Sequence, residues 1–210
     1  MDLVTVDGED PNPAMLARAV TVLRGGRLLI YPTDTLYALG GLALDGAAVD
    51  RVRLAKGREE WKPLPLVAAD LEQVNGLCSS PTDALARLAR RFWPGPLTLV
   101  LPAAAGVPEA VTAGTDTVAV RVPALALVRR LCAEAGPLVS TSANPAGAPP
   151  PRTCHEAVVG VGRAAALALD GGTAPVSLGS TIVDLTQREP RLLRPGPIAW
   201  DAVAAALREA

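Results

Sequence analysis

Residues 27–37 read Arg27-Leu28-Leu29-Ile30-Tyr31-Pro32-Thr33-Asp34-Thr35-Leu36-Tyr37. A short apolar run closed by proline predicts a buried strand that delivers the polar residues after Pro32 to its end. Immediately upstream, Asn12 to Gly26 predicts a complete helix. Asn12 can cap it and Pro13 suits its first turn. Leu16, Ala19, Val20 and Leu23 share a face, and Gly25-Gly26 stops it. A helix feeding a buried strand that carries a polar loop is a building unit of an α/β sheet.

Working outward, Asp45 to Ala55 predicts a helix, and Leu64 to Ala68 a strand interrupted by Pro65, hence a sheet edge or an irregular segment. Ser80-Pro81 opens a helix to about Phe92. Strands then crowd together at Leu97–Leu101, Thr117–Val122, Leu138–Ser140, Ala165–Leu169, Thr181–Leu185 and Arg191–Arg194. Helices separate only some of them, at Leu125–Ala135, Thr153–Val159 and Ile198–Arg208. This mixture predicts an α/β fold with a mixed sheet and flanking helices. The Pro- and Gly-rich stretch Asn144 to Arg152 follows a strand and precedes a helix, so it reads as a loop inside one domain, 1–210 with a core of about 12–200.

Composition removes several function classes. Three Trp, two Tyr and one Phe in 210 residues are too few for a protein that stacks nucleic-acid bases on rings. A net charge of -1 supplies no global basic field, so any polyanion site must be local. No apolar run approaches the length of a membrane span, and the acidic start Met1 to Asp10 lacks the basic and apolar regions of a signal peptide. The expectation is a soluble cytoplasmic protein that uses no membrane. Three widely spaced cysteines, Cys78, Cys132 and Cys154, suggest reduced thiols. His155 is the only histidine and no CxxC pair is present, so a zinc site, a multi-histidine metal mechanism or a Ser-His-Asp mechanism has little to draw on. Cys154 and His155, adjacent in sequence, are expected to point apart.

Four polar loops sit at strand ends, where a sheet can gather side chains around one crevice. Thr33-Asp34-Thr35 offers two hydroxyls and a carboxylate; it equally suits a Pro-Asx turn. Arg51 to Lys62 concentrates cations. Of these, Lys56, Arg58 and Lys62, at and beyond a helix end, are the stronger anion-site candidates, with Gly57 permitting close approach. A solvated charge cluster reads the same way, and no Walker loop is present. On the strand from Thr117, alternation puts Thr117, Ala119 and Arg121 on one face. An arginine in so apolar a strand needs an anionic partner, either a protein carboxylate or a ligand's. Ser140, Thr141, Ser142 and Asn144 form a dense donor and acceptor loop suited to phosphate oxygens, a ribose or a polar substrate, and equally to helix capping. Last, after Gly179-Ser180-Thr181 and its strand, Pro195-Gly196 forces a turn just after Arg194 that can hold its guanidinium at a loop edge instead of leaving it mobile.

In this order the loops resemble the YrdC/YciO family, whose characterised members include threonylcarbamoyl-AMP synthases. The matching stretches are YPTDTLYALGG at 31–41, KGREEWKPLPL at 56–66, FWPGPLTLVLP at 92–102, VAVRVP at 118–123, STSANPAG at 140–147, LDGG at 169–172, STIVDLT at 180–186 and LLRPG at 192–196. The resemblance implies a single-domain, YrdC-like open twisted mixed sheet with a concave cationic face. It implies a nucleotidyltransferase that makes threonylcarbamoyl-AMP and pyrophosphate from ATP, L-threonine and bicarbonate or CO2, for threonylcarbamoyladenosine modification of tRNA.

Carried onto matching positions, the resemblance assigns Lys56, Arg58, Lys62, Thr117, Ser142 and Arg194 to ATP, with Asn144 a further nucleotide-side candidate. It assigns Thr35, Arg121, Ser140 and Ser180 to threonine, and gives Lys56 and Arg58 the catalytic charge. Mg²⁺ would accompany ATP, with no protein metal site. Downstream threonylcarbamoyl-transfer proteins and a contact with tRNA are the implied partners. The chemistry of the residues agrees with this division: transfer at the α-phosphorus asks for positioned cations rather than a covalent nucleophile, and a guanidinium on a rigid strand suits a carboxylate. A family paralogue that binds RNA or a nucleotide with little synthase activity is the alternative.

The chain departs from the family pattern at Glu59 and Gly179, where many members carry proline and glutamate, at Pro150, where some carry serine, and near Val67, where some place a histidine. These departures bear on substrate affinity and substrate identity more than on fold. The chain is also expected to lack the additional C-terminal domain of longer relatives.

Overall fold

The computed structural model describes residues 1–57, 62–175 and 179–208. Strand β1 (Asp2–Thr5) and helix α1 (Pro13–Arg24) lead into β2 (Leu28–Pro32). Asn12 Oδ1 accepts from the amides of Ala14 and Met15 at 2.9 and 3.3 Å, which satisfies donors the first turn leaves over. The chain returns as β3 (Tyr37–Gly40), and α2 (Gly46–Ala55) starts on the Asp45 carboxylate in the same way. There follow β4 (Leu66–Val67), α3 (Leu71–Leu77), α4 (Asp83–Phe92), β5 (Leu97–Pro102), α5 (Glu109–Thr112), β6 (Thr117–Arg121), α6 (Ala126–Ala135), β7 (Leu138–Val139) and β8 (Thr141–Ser142). The last elements are α7 (Cys154–Val161), β9 (Ala165–Asp170), β10 (Thr181–Asp184), β11 (Arg191–Arg194) and α8 (Trp200–Arg208).

The expected mixed α/β fold is present, and its strands divide between two sheets. One runs β1-β9-β2-β3-β8, the other β11-β10-β5-β6-β4-β7. Both mix parallel and antiparallel pairs. For example, β2 is parallel to β9 and antiparallel to β3, while β5 is parallel to β10 and antiparallel to β6. Burial on both faces makes β2 a near-continuous apolar run. Leu28 and Ile30 join the apolar cluster that includes Leu39, Leu99, Val120 and Val183, whereas Leu29 and Tyr31 join the one packed against Leu23 of α1 and Leu131 of α6.

Several expectations change. The strand interrupted by Pro65 is short but internal, with β6 on one side and β7 on the other, so it is irregular rather than an edge. Pro65 lies just before the ladder, where its missing N–H costs no strand pairing. The fourth helix begins at Asp83, because Thr82 rather than Ser80 accepts the capping bond, from Leu85 N at 3.2 Å. The strand expected at 138–140 ends at Val139, residues 141–142, expected as loop, form a short strand of the other sheet, and the chain crosses between the sheets at Ser140. Strands β1 and β3 and helices α3 and α5 were not expected from the sequence. Ordered structure also passes the expected core: β1 pairs with β9, and α8 buries Val203 and Ala206.

Candidate active site

Because Ser140 is the crossing point, the polar loops of both sheets face one cavity of about 430 Å³. The first sheet contributes Thr35 and Leu36 from the β2–β3 loop and Thr141 and Ser142 from β8. The second contributes Leu66 and Val67 of β4, Thr98 of β5, Ala119 and Arg121 of β6, Ile182 of β10 and Arg194 of β11. Thr35, Arg121, Ser140, Ser142, Asn144, Ser180 and Arg194 all line this space, so the structure brings together seven of the residues singled out from sequence.

Arg121 is buried, and its first anionic partner is a protein carboxylate. Nη1 donates to Asp34 Oδ1 at 2.7 Å and Nη2 to Thr35 Oγ1 at 3.2 Å. The turn beneath them is held by Thr33, whose Oγ1 accepts from the amides of Thr35 and Leu36 and donates to the Leu36 carbonyl at 2.7 Å. The Thr33 and Thr35 hydroxyls also lie 3.0 Å apart, and either can be the donor.

On the opposite wall Arg194 Nε and Nη2 donate to the Ser180 carbonyl at 3.0 and 2.7 Å, and Ser180 Oγ lies 2.7 Å from Thr98 Oγ1. Much of Arg194 is open to solvent, but its guanidinium is partly buried. That burial, and then the charge of Arg121, push its pKa below the ordinary arginine value. The two guanidinium groups thus feel each other across the cavity, and no carboxylate is among its described lining residues. Gly196 makes the turn after Arg194 possible: a Cβ there would lie 2.4 Å from Thr181 N.

Lys56 is placed differently from the expectation. Its residue is 3% exposed, and it stands behind the nucleotide-side loop rather than lining the cavity. Nζ donates to the carbonyls of Ser142 and Asn144 at 2.5 and 2.8 Å, with Ser142 Oγ and Asn144 Oδ1 at 3.4 and 3.2 Å. A buried ammonium needs such oxygens, and the loop carbonyls supply them before any phosphate does. Thr117 pairs with the Thr115 hydroxyl at 2.9 Å and does not line the cavity. Lys62 is exposed and likewise off the lining, its carbonyl accepting from Arg53 Nη2 at 2.9 Å. Arg58, with Glu59, lies outside the described residues.

Thr98 is the polar lining residue that the sequence reading does not single out, whereas Asp34 is named there only as the carboxylate of its loop. Thr98 had a usable signal, a lone hydroxyl inside the apolar strand Leu97–Leu101. The departures Val67, Pro150 and Gly179 all line the cavity. Cys154 and His155 do point apart: the thiol is buried and the imidazole exposed, and burial, then the charge of Asp170, push the thiol up to about 11. Among the described residues no group of three His, Cys, Asp or Glu is placed to hold a metal. No described helix is long and apolar enough to cross a membrane.

Residues 21–196 match the family model Sua5_yciO_yrdC, described as Telomere recombination. The chain belongs to this family of α/β proteins. It is 40% identical over 192 residues to the threonylcarbamoyl-AMP synthase of Pyrococcus abyssi, an alignment covering 91% of this chain and 56% of that protein. It is 37% identical over 205 residues to the putative threonylcarbamoyl-AMP synthase of Mycobacterium tuberculosis strain H37Rv, covering 97% and 94%. The crystal structure of P. abyssi Sua5 complexed with L-threonine superposes with a TM-score of 0.94 at 37% identity, over 100% of this chain and 62% of that one. The chain thus spans about three fifths of the Pyrococcus protein and nearly all of the mycobacterial one.

Proposed function

We propose that this chain is a threonylcarbamoyl-AMP synthase that supplies threonylcarbamoyladenosine modification of tRNA. The observation that carries the reading is the shared cavity, in which Arg121 and Arg194 face hydroxyl and amide groups from both sheets. The relatives' names and the threonine complex of the Pyrococcus homologue support the substrate.

The threonine amine and bicarbonate form a carbamate with loss of water. A carbamate oxygen then attacks the α-phosphorus of ATP, and the bond to the bridging oxygen breaks as pyrophosphate leaves. No covalent protein intermediate is needed, so the protein positions and stabilises charge. In this reading Arg121, Ser140, Ser180 and Thr35 hold threonine. Ser142, Asn144 and Arg194 take the nucleotide, joined by Arg58, Lys62 and Thr117 when the nucleotide is seated. Lys56 acts on the nucleotide through the loop it carries. Among the described residues the lining offers hydroxyl and amide oxygens but no carboxylate cage, and in this reading Mg²⁺ arrives on the triphosphate as part of the substrate. The buried, unpaired cysteines suit a reducing cytoplasm. Transfer proteins that act on tRNA would consume the product.

Pyrophosphate release tests the reading. It is expected to require ATP, threonine and bicarbonate together; ATP breakdown indifferent to threonine would reject it. RNA binding with a steep salt dependence and no such turnover would instead support a nucleic-acid-binding paralogue.

A further inference from the structure

Asp34 carries a charge that the reaction scheme does not use. Its carboxylate is 13% exposed and lies behind Arg121 rather than on the cavity lining. Oδ1 takes the Arg121 bond at 2.7 Å, while Oδ2 is buried with no hydrogen-bond partner. An acid catalyst or base would need reach to the substrate, and an N-cap would engage backbone amides; Asp34 does neither. What it touches is one guanidinium.

We propose that Asp34 is a positioning residue for the amino-acid side of the cavity, setting both the orientation and the effective charge of Arg121. The inference rests on the synthase reading and deepens it. Arg121 emerges from between Val120 and Val122, which are 0% and 3% exposed, so the strand fixes its stem but not the rotation of its guanidinium. Asp34 on Nη1 and Thr35 on Nη2 fix that rotation from a turn already locked by Thr33. The remaining N–H donors of the planar fork are then aimed by the protein before a ligand arrives.

The charge matters as much as the angle. Two uncompensated guanidinium groups in one cavity would both draw phosphate oxygens, and ATP would compete with threonine for Arg121. A carboxylate behind Arg121 offsets its charge and leaves Arg194 as the stronger phosphate magnet. Arg121 is then matched to a monocarboxylate. Selectivity between two anionic substrates thus comes from a residue that meets neither.

The test is steady-state pyrophosphate release by wild type, Asp34→Asn, Arg121→Gln and the double variant. Asp34→Asn is expected to raise the threonine KM about 10- to 100-fold, the range of a lost charge-assisted bond, with the ATP KM unchanged or lower. Pyrophosphate, added as inhibitor, becomes competitive with threonine. On the Arg121→Gln background Asp34→Asn adds nothing to the threonine KM, because the residue acts only through Arg121. A full additional loss in the double variant, a fall in kcat at unchanged threonine KM, or a parallel rise in the ATP KM overturns the proposal.

Thermal unfolding accompanies each variant. Should Asp34→Asn not fold, Asp34→Glu keeps the charge and moves the carboxylate by one methylene; an unchanged threonine KM there overturns the proposal equally. Wild type that releases no threonine-dependent pyrophosphate rejects the synthase reading, and this inference with it. Active wild type with an insensitive variant rejects this inference alone.

Discussion

Arg194 is clasped by Ser180: its Nη2 lies 2.7 Å from the Ser180 carbonyl and 3.1 Å from Ser180 Oγ. The residue before the serine makes the clasp possible. Gly179 has a φ of +68°, and a Cβ on it would stand 3.0 Å from Arg194 Nη2.

Gly179→Ala is therefore expected to disturb Arg194 while leaving the core intact. The left-handed backbone costs an L-residue about 1–2 kcal/mol, and the new methyl group pushes the guanidinium off Ser180. We expect kcat/KM for ATP to fall about 10-fold. Arg194→Ala should abolish most of the remaining activity with little change in Tm. Measurement of ATP kinetics beside thermal unfolding checks both; unaltered kinetics in Gly179→Ala would show that the clasp is dispensable.

Thr98 supports the same serine from the next strand, its Oγ1 2.7 Å from Ser180 Oγ. Thr98→Val keeps the shape and removes the hydroxyl. It should cost about 1 kcal/mol of stability and raise the threonine KM several-fold, since Ser180 loses the partner that fixes its rotamer. Urea unfolding with threonine kinetics measures the pair of effects.

Lys56→Met separates a loop-holding role from direct phosphate contact. Removing the ammonium leaves the carbonyls of Ser142 and Asn144 without its hydrogen bonds, at a cost of about 2–4 kcal/mol. Urea unfolding should show this loss in the absence of ATP, together with a raised ATP KM. A lysine that serves only the triphosphate would leave the stability of the ligand-free protein unchanged.

Alkaline pH should destabilise the fold through buried thiol and phenol groups. Burial, and then Asp170, push Cys154 from an ordinary value of 9.0 up to about 11, and burial also raises Cys132, Tyr31 and Tyr37. The folded state holds these protons more tightly than the unfolded chain does. For Cys154, stability is therefore fully present below pH 9.0 and declines as pH climbs toward about 11. Tm measured at pH 8 and pH 10 should fall, and Cys154→Ala should make the fall shallower.

The elements most legible in the sequence were those with local causes. Asn12 and Pro13 mark the start of α1 within one turn, and Leu28–Tyr31 announces a doubly buried strand by composition alone. Strand β3 was hidden because Tyr37–Gly40 is short, contains a glycine and adjoins a polar turn. Helix α3 was hidden because Leu71–Leu77 completes scarcely two turns, too few for a periodic pattern. The break at Ser140 had no local signal: Leu138–Ser140 reads as a strand running into a polar loop, and nothing local shows that residues 141–142 pair in the other sheet.

From the chain alone came the α/β class, the helix caps, the polar loops at strand ends and the residues that resemble a family's site, because these depend on neighbours a few positions apart. Which of those residues share a cavity, that Arg121 already holds Asp34, and that Lys56 grips a loop were settled only by the tertiary fold. These pairs are separated by 87 and 86 residues, and a buried charge takes whichever partner the packing brings within about 3 Å.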